Sequence, residues 1–159
     1  MRVGIGYDAH KLIAGEGMVL GGVFIESEFS IQAHSDGDVI THAIIDSLLG
    51  AASLGDIGTL FPSEDQENKD ISSLILLKQV VDLLKSKEYE ILNVDVTLIT
   101  ETPKINKKIN SITNVLSKNL DVAIDRVSCK ATTTDGLGFE GKKTGISCQA
   151  VSLINKKRN

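Results

Sequence analysis

The segment from Asp38 to Ser53 constrains this chain more than any other. Val39, Ile40, Ala43, Ile44, Ile45, Leu48, Leu49, Ala51 and Ala52 spread over most sides of one helical projection. A helix apolar on so many sides has to be buried. Yet Asp38, His42 and Asp46 recur at i, i+4 and i+8, which sets three polar groups along one edge of it. Polar groups drawn into a core are costly without partners. His34 and Asp36 precede the helix, and Asp56, Glu64 and Asp65 follow it. A lone helical His is most often a hydrogen-bonded core residue. A carboxylate–imidazole–carboxylate stripe favours a metal ligand, because an outer carboxylate usually orients a ligating His. His42 is therefore a candidate ligand, with Asp38 and Asp46 as supports for the helix and its imidazole.

One His needs company, and the N-terminus offers it. Residues 2–8, RVGIGYD, alternate as a strand does, and the pattern leads into Asp8-Ala9-His10. Residues two apart on a strand point the same way, so Asp8 and His10 can face one ion from a single rigid element. By itself D-x-H is a weak signal, and a surface pair is its ordinary meaning. Gly4 and Gly6 share that face, so another backbone or a ligand can come close there.

The remaining segments fill in an architecture. Residues 18–25 read as a hairpin turning at Gly21-Gly22. Residues 26–37 read as a polar loop, in which Ser35 or Asp36 caps the following helix. Residues 55–65 form a loop marked by Gly55, Gly58 and Pro62. Helices are predicted over 70–87, capped by Asp70 or Ser72, and over 103–119, with Pro103 at the first helical position. Strands are predicted over 91–99, with Leu92, Val94, Val96 and Leu98 on one face, and over 126–134 and 145–154, and a Gly-rich loop over 135–144. The order predicts one α+β domain across 1–159: a mixed four-stranded sheet with helices on one face, plus a small hairpin.

Bulk properties exclude several function classes. A net charge of −4 argues against a nucleic-acid binder, and the basic Lys156, Lys157 and Arg158 read as a solvated end. No apolar run is long enough to span a membrane. Cys129 and Cys148 lie in separate apolar segments and read as free, reduced thiols. With no leader-like N-terminal segment, a cytoplasmic location is expected.

Four blocks in order then carry a resemblance over essentially the whole chain. They are RVGIGYDAH (2–10), AHSDGDVITHAIIDSLLGAASLGDIG (33–58) with FPSED (61–65), NVDVTLITETPK (93–104) and KATTTDGLGFEGKKTGI (130–146). Together, at these spacings, the chain resembles the 2-C-methyl-D-erythritol 2,4-cyclodiphosphate synthase family of the non-mevalonate isoprenoid pathway. The resemblance implies one zinc per subunit on Asp8, His10 and His42, and a magnesium or manganese ion at Asp135. It implies a homotrimer with sites at the subunit interfaces. The implied reaction is intramolecular. The 2-phosphate of 4-diphosphocytidyl-2-C-methyl-D-erythritol 2-phosphate attacks the β-phosphorus, and CMP leaves.

Residue roles follow from the same resemblance. His34 and Thr133 match transition-state stabilisers. Ser35, Asp56, Ile57, Gly58, Phe61, Pro62, Ser63, Glu64 and Asp65 match the hold on the erythritol and 2-phosphate end. Thr100, Pro103, Lys104, Ile105, Asn106, Ala131, Thr132 and Thr134 match the surroundings of the cytidine and its phosphates, where backbone groups read the base. Phe139 and Lys142 complete the substrate-facing set. Two positions depart from the family pattern. Asp135 stands where Glu is common, one methylene shorter. Lys142 stands where Arg is common, reaching a cavity on the threefold axis that takes isoprenoid diphosphates, and Lys loses the bidentate fork. The rival readings are a metal-dependent phosphohydrolase using the same ligands, and a non-catalytic trimer with a structural zinc that binds isoprenoid diphosphates.

Overall fold

Residues 1–33, 35–62 and 71–156 are described by the computed structural model. In chain order come β1 (Arg2–Ala14), β2 (Gly17–Leu20), β3 (Val23–Glu26), β4 (Phe29–Gln32), α1 (Val39–Ala52), α2 (Ile57–Leu60), α3 (Ser73–Ser86), β5 (Tyr89–Ile99), α4 (Ile109–Leu120), β6 (Val127–Thr132), α5 (Gly138–Gly141) and β7 (Gly145–Lys156). The main sheet has the order β4-β1-β7-β5-β6 and the hairpin β2-β3 stands apart from it. Among the described residues, β5 and β6 pair in parallel and the other strand pairs are antiparallel.

The sheet therefore has five strands, not the expected four. β1 continues past His10, and its far end, Lys11 to Ala14, pairs with Phe29 to Gln32 inside the segment expected to be a loop. Phe29 and Ile31 alternate with Ser30 and Gln32, and both apolar side chains pack against the core. That four-residue alternation is a strand signal short enough to be hidden by its polar flanks.

The apolar residues of β1 point away from the core. Val3, Ile5 and Tyr7 are 68%, 69% and 51% exposed, and Val151, paired with Ile5, is 40% exposed. The glycines face inward instead. A Cβ on Gly4 would lie 2.0 Å from the carbonyl oxygen of Ser47, and one on Gly6 would lie 1.9 Å from that of Ala43. Helix α1 thus rests directly on the backbone of β1, which only glycine permits. It also packs on β7 and β5, while α3 and α4 pack against β5 and β6. Val39, Ile40, Ile44, Ile45, Leu48 and Leu49 of α1 are fully buried in the resulting core.

Two carboxylates tie the layers together. Asp38 caps α1, accepting from the Thr41 amide (3.1 Å) and hydroxyl (2.7 Å), so neither Ser35 nor Asp36 is the cap. The same carboxylate accepts from the amides of Gly21 and Gly22, both at 2.7 Å, and so clamps the hairpin turn to the helix. Burial pushes its carboxyl above the ordinary value against the pull of these four donors. Asp36 works further along: its Oδ2 accepts from the Ser73 amide at 2.8 Å, at the start of α3. Ser72, one of the two expected caps, makes no side-chain cap bond, and Asp70 lies outside the described residues.

Two smaller expectations also change. Pro103 follows a cis peptide bond in a loop, and α4 starts only at Ile109 after a 3-10 turn over Asn106–Lys108. In β5 a register shift between Ile91 and Asn93 turns Leu92 out of the buried set, leaving Ile91, Val94, Val96 and Leu98 inside.

Candidate metal centre and active site

Asp8 and His10 project from the same side of β1 as Gly4 and Gly6, toward α1. His42, one turn into α1, meets them from above. Asp8 Oδ2 lies 2.9 Å from His10 Nε2 and 3.0 Å from His42 Nδ1, and the two ring nitrogens are 3.4 Å apart. Three donor atoms therefore surround one point. Zinc bonds of about 2.0–2.1 Å in a tetrahedron place ligand atoms roughly 3.3 Å apart, so the spacing fits such an ion with a small outward adjustment. The donor set, one carboxylate and two imidazoles, suits zinc and leaves a fourth position open. Among the described residues this is one His/Asp cluster that could hold a metal.

The electrostatics are those of a cation site. Burial alone would raise the Asp8 carboxyl. Hydrogen bonds from His10 and His42, with the charges on those rings, overcome it and hold the group well below the carboxylate range. Burial would lower His42. The bond to Asp8, the Asp8 charge and the more distant charges of Asp38 and Asp36 raise it instead. Negative charge dominates the pocket, as it must where a dication is to sit.

The far side of His42 is tied down as well. Its Nε2 lies 2.8 Å from Ser73 Oγ and 3.5 Å from Ser35 Oγ. Ser73 Oγ in turn bonds Asp36 Oδ1. The two carboxylates expected to support the imidazole have other hydrogen-bond partners. Asp38 holds the hairpin, and Asp46 accepts from the Ile57 amide at 2.7 Å, anchoring the start of α2. Burial raises the Asp46 carboxyl, with the nearby charges of Asp56 and Asp8 adding to it. Asp56 caps α2 through the Thr59 amide at 2.7 Å, a bond that lowers its carboxyl. Ile57 and Phe61 are half-buried beside it, and Asp56, Gly58 and Pro62 are exposed. His34, Ser63, Glu64 and Asp65 lie outside the described residues.

The expected nucleotide wall lies at the other edge of the sheet. Thr100 and Pro103 are buried, Lys104 and Asn106 exposed, and the Ile105 side chain is wholly in the core. The Ile105 carbonyl accepts from the Lys108 amide at 2.7 Å. Ala131, Thr132, Thr133, Asp135, Phe139 and Lys142 are exposed, and Thr134 is half-buried. Glu101 closes this wall: its Oε1 accepts from the Thr134 amide at 3.2 Å and the Gly136 amide at 3.4 Å. Asp135 takes a left-handed φ of 56° in that turn. The pairing register runs from Ala9 to Ser147, Ile99 and Thr132. Three strand spacings separate its ends, so the backbones of Ala9, between Asp8 and His10, and Thr132 of one chain stand about 14 Å apart.

The sequence profile of the YgbB family matches residues 1–155. This chain belongs to the YgbB family. A YgbB relative from Clostridium acetobutylicum named 2-C-methyl-D-erythritol 2,4-cyclodiphosphate synthase is 52% identical over 154 residues, covering 97% of this chain and 99% of the relative. Among solved structures, an IspF–CDP complex from Plasmodium falciparum superposes with a TM-score of 0.87 at 38% identity, over 99% of this chain and 97% of that one. The bifunctional IspDF of Campylobacter jejuni matches with a TM-score of 0.94 at 35% identity. That match covers 98% of this chain, which spans 42% of the bifunctional protein's length.

Three residues of this YgbB chain with a place in the site had no assigned part in it from the sequence. By sequence Asp36 reads only as a cap, Ser73 lies inside a helix whose sequence shows no chemistry, and Glu101 lies in a plain turn. Each acts through a contact across at least 31 residues of chain. A period or local motif does not report such contacts.

Proposed function

We propose that the Asp8–His10–His42 centre serves an intramolecular phosphoryl transfer with zinc as its ion, in a homotrimer whose sites lie between subunits. The chain catalyses conversion of 4-diphosphocytidyl-2-C-methyl-D-erythritol 2-phosphate to 2-C-methyl-D-erythritol 2,4-cyclodiphosphate and CMP, the synthase reaction of the non-mevalonate pathway for which its full-length relatives are named. The observation that carries the metal reading is the meeting of two ring nitrogens on one oxygen of Asp8.

No protein nucleophile is required, because the substrate carries its own. The chain's work is to fold the substrate so that its 2-phosphate lies in line with the β-phosphorus. Ser35 and the Asp56–Gly58 turn hold the erythritol end beside the metal wall. Amides and hydroxyls of Thr132 to Thr134, with His34, receive the charge that develops on the transferring group. Thr100 to Asn106 hold the cytidine, largely through backbone groups of that stretch. Asp8, His10 and His42 would hold zinc, which would supply Lewis acidity to the transferring phosphate, and Asp135 would hold magnesium or manganese, which would neutralise phosphate charge.

Two observations support the trimer. The β1 face bearing Val3, Ile5 and Tyr7 is apolar and bare in one chain. The 14 Å or so between the backbones of Ala9 and Thr132 is wide for one diphosphate, and a neighbour's wall would narrow it. The CDP in the Plasmodium falciparum complex supports a cytidine-diphosphate-linked substrate. Lys142, exposed beside Lys143, would offer charge to an isoprenoid diphosphate in the trimer cavity. No helix among the described residues is long and apolar enough to cross a membrane, and the reading places the enzyme in the cytoplasm.

The test is phosphorus NMR of the cytidylyl substrate with the protein, zinc and magnesium. A cyclic diphosphate and CMP are expected in equal amounts. Free phosphate or an open-chain product would instead mark a phosphohydrolase.

A further inference from the structure

The Asp36–Ser73–His42 chain is not needed to hold the fold at His42, since α1 is already fixed by Asp38, the sheet glycines and its apolar faces. Its chemistry points elsewhere. Ser73 Oγ touches both His42 Nε2, at 2.8 Å, and Asp36 Oδ1. A hydroxyl has one proton to give. An ionised carboxylate can only accept, so the Ser73 proton goes to Asp36. Ser73 Oγ then accepts from His42, which must carry its proton on Nε2. Nδ1, the atom facing Asp8 Oδ2 and His10 Nε2, donates to Asp8 in the metal-free chain, and with its partner nitrogen already protonated it gives up that proton and offers its lone pair when a divalent ion binds.

We propose that Ser73, held by Asp36, is the positioning residue that keeps the His42 proton on Nε2 and presents Nδ1 to a divalent metal. This rests on the reading of the triad as a metal centre. Outer partners of this kind usually act on a ligating His directly through a carboxylate or carbonyl. Here a hydroxyl stands between, and both of its neighbours are fixed. Asp36 Oδ2 also takes the Ser73 amide, and Oδ1 also takes the Asp38 amide at 3.2 Å. The first turn of α3, the entry to α1 and the ligand ring are thereby held in one frame.

The geometry also separates this role from a structural one. Ser73→Ala removes the hydroxyl and keeps the backbone amide that binds Asp36, so α3 stays anchored. The expected result is zinc affinity lower by about 10- to 100-fold, with the melting temperature of the metal-free protein close to the wild type. Ser73→Thr restores the hydroxyl and most of the affinity. A Ser73→Ala protein that binds zinc like the wild type overturns the proposal.

A second measurement needs no variant. In nitrogen-15 NMR of the histidine side chains, the wild type should show a protonated Nε2 on His42, slow to exchange, with and without zinc. An unprotonated His42 Nε2 in the folded wild type overturns the proposal even where Ser73→Ala does not fold. Should the wild type bind no divalent metal, the metal reading fails, and the Nε2 proton still judges the hydrogen-bond chain separately.

Discussion

The two walls of the candidate site are built by opposite means. The metal wall is assembled from side chains of β1, α1, the start of α3 and the turn before α1, and they bond one another inside the chain. Asp8, His10, His42, Ser73, Asp36 and Asp38 form a continuous set of hydrogen bonds from the hairpin turn to the start of α3. The nucleotide wall is a pair of surface loops in which Thr132, Thr133 and Asp135 stand exposed, and Glu101 supplies most of the internal tie. One wall is pre-organised at the expense of buried charge. The other keeps its donors free for phosphate. A metal centre needs fixed ligand spacing, whereas a transferring phosphoryl group needs open donors aimed at charge that appears only in the transition state.

The largest expected effect tests whether the walls are separate parts. His42→Ala should lose bound zinc and at least about two orders of magnitude in turnover, with the fold kept. Thr133→Ala should lose turnover and keep zinc. If a site draws its walls from neighbouring subunits, mixing the two variants in equal amounts should return about a quarter of wild-type activity after subunit exchange, since one site is whole in each mixed trimer. A mixture as inactive as its components would mean that each chain supplies both walls.

Next in size is the anchor behind the metal wall. Asp38→Ala leaves four donors without their acceptor and removes the cap of α1, a loss of about 3–5 kcal/mol. Thermal unfolding should register it as a large fall in melting temperature. A small fall would show that the hairpin turn finds other acceptors.

Asp135→Glu should act the other way. It should change the magnesium concentration needed for half-maximal turnover several-fold and leave stability within about 0.5 kcal/mol, as befits an exposed loop. Unfolding and magnesium titration of the same preparation separate the two.

The smallest effect concerns the root of the nucleotide wall. Burial pushes the Cys129 thiol on β6 up to about 11. With so little thiolate at neutral pH, alkylation should run about two orders of magnitude slower in the folded protein than in denaturant, as read by mass spectrometry. Equal rates would mean that β6 opens along with its loop.

Much of the metal wall was legible in the sequence because its signals are local. Asp8 and His10 share a strand face, His42 interrupts an otherwise apolar helix, and Gly21-Gly22 marks a turn. The fold was legible where apolar periods were long, as in α1, α3 and β7. It was missed where a strand is four residues long (β4), where a register shift breaks the alternation (Leu92), and where a proline precedes its helix by a loop (Pro103). Asp38 does support the helix, as its cap, and its charge raises His42, but the hydrogen-bond partners of Asp38 and Asp46 in other elements were not legible, for a related reason. Helical spacing shows that two groups share an edge, but a backbone amide from another element can reach the carboxylate first.

The contact of α1 with Gly4 and Gly6 reaches beyond packing. The same helix carries His42 and the same strand carries Asp8 and His10, so the layer spacing is also the height of the ligand ring. The two missing side chains act as a gauge set once, in the backbone. A methyl group added at either position lifts the helix, and it changes the size of ion the chain can grip before it changes any atom that touches the ion.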